Sequence, residues 1–359
     1  VVGLVGSEMC IRDSPRGSHG PRGLHQYHED TTGALSIVPA TTDPARVRVV
    51  ADVGGTNTRI ALFDEARAEF RALTHYLNRD FDRLEDIFRR WLGGLDEPPP
   101  EKCCIAVAAP PSADLVVMSN RDWSFSCREF AAELGFAQLR RLNDFEANAY
   151  ALPHLLDDER LLLCDGRPDT GTGRLATMGP GTGLGGACLD LHNGNARSFA
   201  CEPGHMSLGP GNPLELEVFR RLLTLHNNIY AELLVSGPGL ARLYHTIADV
   251  RGEATTSLEP ADISRLAVAG KDSLCVLALQ TFCALLGSVC GDFLLANGAY
   301  RGLYIAGGIV PRMTDFLAAS DFRRRMVEKG AMKQTLSGTP VYVITTGQPG
   351  LIGAAHVPL

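Results

Sequence analysis

Ala51-Asp52-Val53-Gly54-Gly55-Thr56-Asn57-Thr58-Arg59 follows the β-branched run Val47-Arg48-Val49-Val50 and passes into Ile60-Ala61-Leu62-Phe63-Asp64. The pattern reads as strand, glycine turn, strand. It puts a carboxylate at a strand end beside two residues without Cβ, where backbone N–H groups can come close to a phosphate. An ordinary hairpin with a glycine turn is an equal reading of Asp-Gly-Gly taken alone.

Downstream, Leu84, Ile87, Phe88, Trp91 and Leu92 fall at helical spacing, and Pro98-Pro99-Pro100 is the expected stop. The apolar run Cys104 to Ala109, the segment Leu115-Val116-Val117-Met118 and a helix over Cys127 to Leu134 continue the alternation. A further strand ends at Leu142-Asn143-Asp144, and a helix over Phe145 to Leu152 leads away from it. Taken alone, Asn143-Asp144 fits a helix N-cap, at a strand end that would face a crevice.

A second cycle begins at Arg174 to Met178, crosses Gly179-Pro180-Gly181-Thr182-Gly183-Leu184-Gly185-Gly186 and resumes at Ala187-Cys188-Leu189. Neither glycine segment is a P-loop, because no Gly-Lys-Ser/Thr closes it and a strand follows. Two such turns at equivalent places in two halves make a phosphate clamp, a more specific signal than either alone. Helices are expected from Pro213 to Tyr300, with Ser273 to Asn297 as a buried core helix. Then come a strand over Leu303 to Ala306, a turn at Gly307-Gly308, helices around Asp315 and Arg323, and a strand over Val341 to Ile344.

A chain of 359 residues, 45% hydrophobic, can bury the core of two domains. Net charge of -7 gives no long-range attraction to nucleic acid or an anionic membrane, and neither is expected as a partner. The ten cysteines sit mostly in apolar segments with no C-x-x-C pair, which points to reduced thiols and a cytoplasmic setting. Apolar stretches are broken before membrane-spanning length, so no transmembrane helix is expected. Residues 1–45, rich in Gly, Pro, Ser, His and Arg, are expected to be a disordered tail, and Val1 to Ser14 has the look of adaptor-encoded sequence joined to a natural start.

The segments D-V-G-G-T-N-T-R, A-P leading to S-N-R-D-W-S-F-S, L-N-D-F-E-A-N-A, G-P-G-T-G-L-G, E-P-G-H, S-G-P-G-L and I-A-G-G-I-V-P-R run in order from about residue 47 to the end. In these motifs the chain resembles the bacterial-type glucokinase family of the hexokinase, actin and Hsp70 fold group. The resemblance implies a two-domain α/β fold of the actin-like ATPase (ribonuclease H-like) kind, each domain a mixed sheet flanked by helices, with ATP and sugar in the cleft between them. The domains it implies are 46–153 plus 345–359 (small) and 154–344 (large).

By the same resemblance, the chain would use ATP and Mg²⁺ to convert glucose to glucose 6-phosphate, feeding glycolysis, and could work as a homodimer. Asp144 would be the general base, with Asn120, Asn143, Glu202, His205 and Glu232 joining it on the sugar. Asp52, Gly54, Gly55, Thr56 and Asn57 would meet the nucleotide phosphates together with Gly181, Thr182 and Gly183, and Asp52 would hold Mg²⁺ through water. Gly307 and Gly308 would lie against adenosine, with Gly237 to Leu240 helping to build that wall. Trp123 and Phe125, two apart, fit packing on one strand face better than sugar stacking.

Three other readings stay open at this point. One is a related hexose or N-acetylhexosamine kinase, or use of polyphosphate as donor. Another is the repressor and kinase superfamily with a zinc-binding cysteine cluster, but no Cys-x-Cys-Gly follows His205. The third is a non-catalytic sugar sensor, against which stand the presence of both Asp52 and Asp144 and the lack of a helix pair for DNA binding.

Overall fold

The computed structural model describes residues 46–109, 114–118, 122–168, 171, 173–192 and 194–359. The expectations for residues 1–45 and for Asn120 lie outside them. The glycine turn of the opening motif joins β1 (Val47–Val53) to β2 (Asn57–Asp64), antiparallel with Asp52 opposite Arg59. There follow β3 (Glu69–Leu77), α1 (Leu84–Leu92), β4 (Lys102–Val107), the hairpin β5 (Leu115–Val117) and β6 (Ser124–Ser126), α2 (Cys127–Leu134), β7 (Gln138–Leu142) and α3 (Asp144–Ala151). The first sheet has the order β3-β2-β1-β4-β7, antiparallel on the β3 side and parallel from β1 onward.

The second half repeats this with β8 (Arg160–Cys164), β9 (Arg174–Pro180), β10 (Leu184–His192) and β11 (Asn195–Cys201). Helices α4 (Pro213–Leu222), α5 (Ala231–Leu234), α6 (Gly237–Arg251), α7 (Pro260–Val268) and α8 (Ser273–Asn297) separate these strands from β12 (Gly302–Ile305). After α9 (Thr314–Ala319), α10 (Phe322–Val327) and α11 (Lys333–Gly338), β13 (Val341–Ile344) leads into α12 (Pro349–His356). The sheet order is β11-β10-β9-β12-β13-β8. Its first five strands repeat the first sheet in order and direction, with β8 added antiparallel at the edge.

Period-two alternation stacks these elements in layers. In β1, Val49, Ala51 and Val53 point to the core formed with α1 and α2, whereas Val50 points to a second core containing α3 and α12. In β12, Leu303 and Ile305 join the core around α6 and α8, and Tyr304 faces the α3–α12 side. Helices α3 and α12 thus lie between the two sheets. They touch so closely that a Cβ on Gly353 would stand 1.7 Å from the Ala147 carbonyl oxygen. Arg48, nearly buried, ties the end of α12 to β1 by donating to the Val357 carbonyl at 2.6 Å.

Several expectations need correction. Helix α1 ends at Gly93, before the triple proline, because two glycines in succession already favour leaving the helix. The helix expected from Phe145 starts at Asp144. Strands β3 and β8 were not apparent in the sequence because each is an edge strand with a largely solvated surface. Helix α12 was hidden by Pro349, Gly350 and Gly353 and by its lack of a polar face, since it is buried nearly all round. Ser273–Asn297 does reach membrane-spanning length and apolarity, but most of it is buried in the core of the second domain. Of the described cysteines, Cys103, Cys104, Cys188, Cys275, Cys283 and Cys290 are buried, and Cys127, Cys164 and Cys201 half-buried. Trp123 and Phe125 are both buried in the first domain's core.

One charged pair lies inside the second domain. Arg325 on α10 bonds both oxygens of Glu215 on α4, at 2.7 and 3.1 Å, and its Nε donates to Ser288 on α8 at 2.9 Å. Gly211 N–H and the Asn212 amide complete the shell of the carboxylate. With both partners out of water, removal of one strands the other. Glu215→Gln should therefore lower unfolding free energy by about 3–5 kcal/mol, and Gly353→Ala by about 3 kcal/mol through overpacking; urea denaturation at neutral pH measures both.

Candidate active site

Three adjoining cavities run along the cleft. The first, about 720 Å³, is lined by Asn143, Asp144, Glu202, His205 and Glu232 together with the turn Gly181–Gly183. The second, about 450 Å³, is lined by Asp52, Asp144, Gly307, Gly308, Arg312 and the segment Thr345–Gly347. The third, about 830 Å³, lies between Gly308, Thr182, the start of α6 at Gly237 and Pro238, and α7 at Arg265. Asp144 lines the first two, Gly181 and Thr182 the first and third, and Gly308 and Arg312 the second and third.

Local hydrogen bonds set Asp144 in place. Asn143 is the N-cap of α3, its Oδ1 accepting from Phe145 N at 2.8 Å and Glu146 N at 3.0 Å, while Glu146 reaches back to the Asn143 N–H. Asp144 Oδ1 also accepts from Phe145 N, at 3.0 Å. The Phe145 ring fills a slot in the second glycine segment, where a Cβ on Gly185 would stand 2.1 Å from its Cε2 and one on Gly179 3.1 Å from its Cζ. Those two glycines make room for a neighbour's ring. Gly183 has a similar task, since a Cβ there would come within 2.4 Å of Glu232 Oε2, the atom that accepts Leu184 N–H at 2.8 Å.

The first cavity is lined by the carboxyl groups of Asp144, Glu202 and Glu232 and, among the described residues, by no Lys or Arg. Burial pushes the Asp52 carboxyl up to about 6, with Arg59 opposing and the nearby negative charge of Asp144 adding to the rise. Arg59 Nη1 donates to Asp52 Oδ2 at 3.5 Å, a long contact. Burial likewise raises Asp144 above the ordinary carboxyl value of 3.8, against the N–H groups of Phe145 and of Asp144 itself, and Glu202 adds like charge. Two carboxylates on one cavity suit a hard divalent cation that keeps waters and phosphate oxygens as its remaining ligands.

The profile of the family described as Glucokinase matches residues 49–358. The chain belongs to the glucokinase family. The glucokinase of Saccharophagus degradans is 39% identical over 310 residues, covering 86% of this chain and 96% of its own. That of Chromobacterium violaceum is 40% identical over 313 residues, with 86% and 89% covered. The crystal structure of a glucokinase from an Antarctic psychrotroph superimposes with a TM-score of 0.80 at 39% identity, covering 87% of this chain and 98% of that one. The two-domain actin-like architecture implied by the motifs is the one observed.

Some cleft residues escaped the motif reading. Asn148, four residues after Asp144 and so on the same face of α3, lines both the first and second cavities. Gly350, at the start of α12, lies against Asp52, where a Cβ would stand 2.9 Å from Oδ1. The helical spacing could have flagged Asn148. Nothing local flags Gly350, which reaches the site from the far end of the chain.

A carboxylate works as a general base only when deprotonated, so with Asp144 in that role activity would be lost as pH falls through its raised pKa. The acid limb of kcat/KM should lie above the ordinary carboxyl value of 3.8. A pH profile of kcat/KM with the metal–nucleotide complex as the varied substrate reports the enzyme before that complex binds and checks this; a limb at or below the ordinary value would contradict the environment described for Asp144.

Proposed function

We propose that the chain is an ATP-dependent glucokinase that moves the γ-phosphoryl group of ATP to the 6-hydroxyl of D-glucose and releases ADP. The observation that carries this reading is the position of Asp144, shared by the cavity holding Glu202, His205 and Glu232 and the cavity holding Asp52. A base for the acceptor hydroxyl must reach both sugar and phosphate, and Asp144 lines both cavities.

In this reading Asp144 accepts the 6-hydroxyl proton as the new O–P bond forms, while the bond to the bridging oxygen breaks and ADP leaves. Burial and the like charge of Glu202 make Asp144 a stronger base than a solvated carboxylate. Glu202, His205 and Glu232 hold ring hydroxyls. Glu232 has one oxygen engaged by Leu184 N–H, which leaves the other for the sugar. Asn143 has its carbonyl oxygen in the helix cap, so its amide nitrogen is the group available as donor. Asn120 is assigned to the sugar by its motif. A site rich in carboxylates discriminates sharply, because an analogue lacking a hydroxyl leaves a charge unpaired.

Gly54 to Asn57 and Gly181 to Gly183 take the phosphates from the two domains, and Gly307-Gly308 with the large third cavity takes adenosine. Asp52, with Asp144 nearby, would hold Mg²⁺ through water. When bound, the ion offsets the charge of the β- and γ-phosphates. The domains are taken as 46–153 plus 345–359 and 154–344. Glu202 and His205 are exposed here, and closing of the cleft over the sugar would exclude water. The cytoplasm, where ATP is available, is the proposed compartment.

Asp144→Ala should lower kcat by at least about 10²-fold with glucose binding partly retained. Single-turnover kinetics with glucose titration measures the two separately, and near-normal turnover would remove Asp144 from the role of base.

A further inference from the structure

Asn78 opens the single 3-10 turn Asn78–Asp80 that follows β3, and it is fully buried although its side chain is polar. A carboxamide so placed must find partners inside the protein. Its hydrogen bonds go to the first glycine turn. Nδ2 donates to the Gly54 carbonyl at 2.8 Å, Oδ1 accepts from the Thr58 hydroxyl at 2.8 Å, and the backbone N–H donates to the Thr56 carbonyl at 2.9 Å. The Gly54 carbonyl, an acceptor only, fixes the amide orientation, and the Thr58 hydroxyl, donating to Oδ1, helps hold the amide in it.

Consider the turn from the side of its backbone dipoles. The carbonyls of Gly54 and Thr56 are taken by Asn78, and that of Asn57 by the Gly54 N–H at 2.9 Å. The N–H groups of Gly55 and Thr56 have no partner among the described residues. A turn with three of its four carbonyls engaged and two adjacent N–H groups left over leans toward the partial charge that an anion requires. Freed from Asn78, the Gly54 peptide could rotate and present its carbonyl oxygen, which would repel a phosphate.

We propose that Asn78 is a positioning residue for the nucleotide phosphates: by holding the Gly54 carbonyl it fixes the turn in the form that leaves the Gly55 and Thr56 N–H groups for the donor. The inference rests on the phosphate role proposed above for this turn. Asn78 is buried beneath the turn and acts through it. Its loss should therefore be felt in recognition of ATP and scarcely in recognition of glucose.

The test compares Asn78→Ala, Thr58→Val, Thr58→Ser and Gly55→Val for the KM of ATP, the KM of glucose, kcat and thermal midpoint. Asn78→Ala should raise the KM of ATP about tenfold and leave that of glucose within about twofold. Thr58→Val keeps the side-chain shape but removes the hydroxyl that orients the amide; it should shift the KM of ATP in the same direction, and Thr58→Ser should restore it. An unchanged KM of ATP in both Asn78→Ala and Thr58→Val, with only the thermal midpoint lowered, would make Asn78 a purely structural residue and overturn the proposal. Should Asn78→Ala fail to fold, the Thr58 pair decides alone. Gly55→Val separates the two levels of the argument. If it leaves the KM of ATP unchanged, the turn does not hold phosphate at all; if it raises that KM while Asn78→Ala and Thr58→Val do not, the role of Asn78 alone fails.

Discussion

The contact of Gly353 on α12 with the Ala147 carbonyl on α3 governs the rest of the molecule. These two helices lie between the sheets, so the distance between them sets how the sheets are spaced and turned. At the N-terminus of α3 stand Asn143 and Asp144, and at the N-terminus of α12 stands Gly350, packed against Asp52. One helix pair thus aims the acceptor side of the cleft and braces the donor side. A side chain larger than hydrogen at 353 would separate the helices and move both sets of groups together. Phe145 extends this coupling, because its ring is seated in the glycine segment of the second domain.

Charge in the cleft is arranged for ligands that bring opposite charge with them. Asp52, Asp144 and Glu202 influence one another, with Arg59 as the cation that opposes the rise at Asp52. Burial, with a smaller contribution from this like charge, raises the carboxyl pKa values of Asp52 and Asp144. A divalent cation held beside them would lower both, coupling cation binding to their ionisation.

How much of this the sequence disclosed depends on how local the cause is. The opening strand-turn-strand, the second glycine segment, α2, α8 and β13 were legible because each is specified by neighbours in the chain: a β-branched run, a glycine pair, a helical period. Asn143-Asp144 read as both cap and catalytic pair, and the cap is present in the structure. Edge strand β3 was illegible because a half-solvated strand lacks a continuous apolar face, and β8 because its run Leu161-Leu162-Leu163 has no alternation, Leu161 and Leu162 being apolar yet exposed. Helix α12 was illegible because its small residues answer to α3, two hundred positions away. The glycines of the second segment were read as room for phosphate alone. At 179, 183 and 185 the structure shows room for Phe145 and Glu232, which no single-sequence pattern reveals. Asn78 and the Glu215–Arg325 pair were passed over for the same reason, since their partners are distant in sequence.

Helix α8 carries a consequence for synthesis. Its apolar surface is covered by α5, α6 and α7, which precede it, and by α10, which follows. A chain leaving the ribosome therefore presents a segment with the length and apolarity of a membrane span before α10 has been made to complete its cover. The same property that gives the second domain a deep core makes completion of residues 302–344 part of the route to the folded chain.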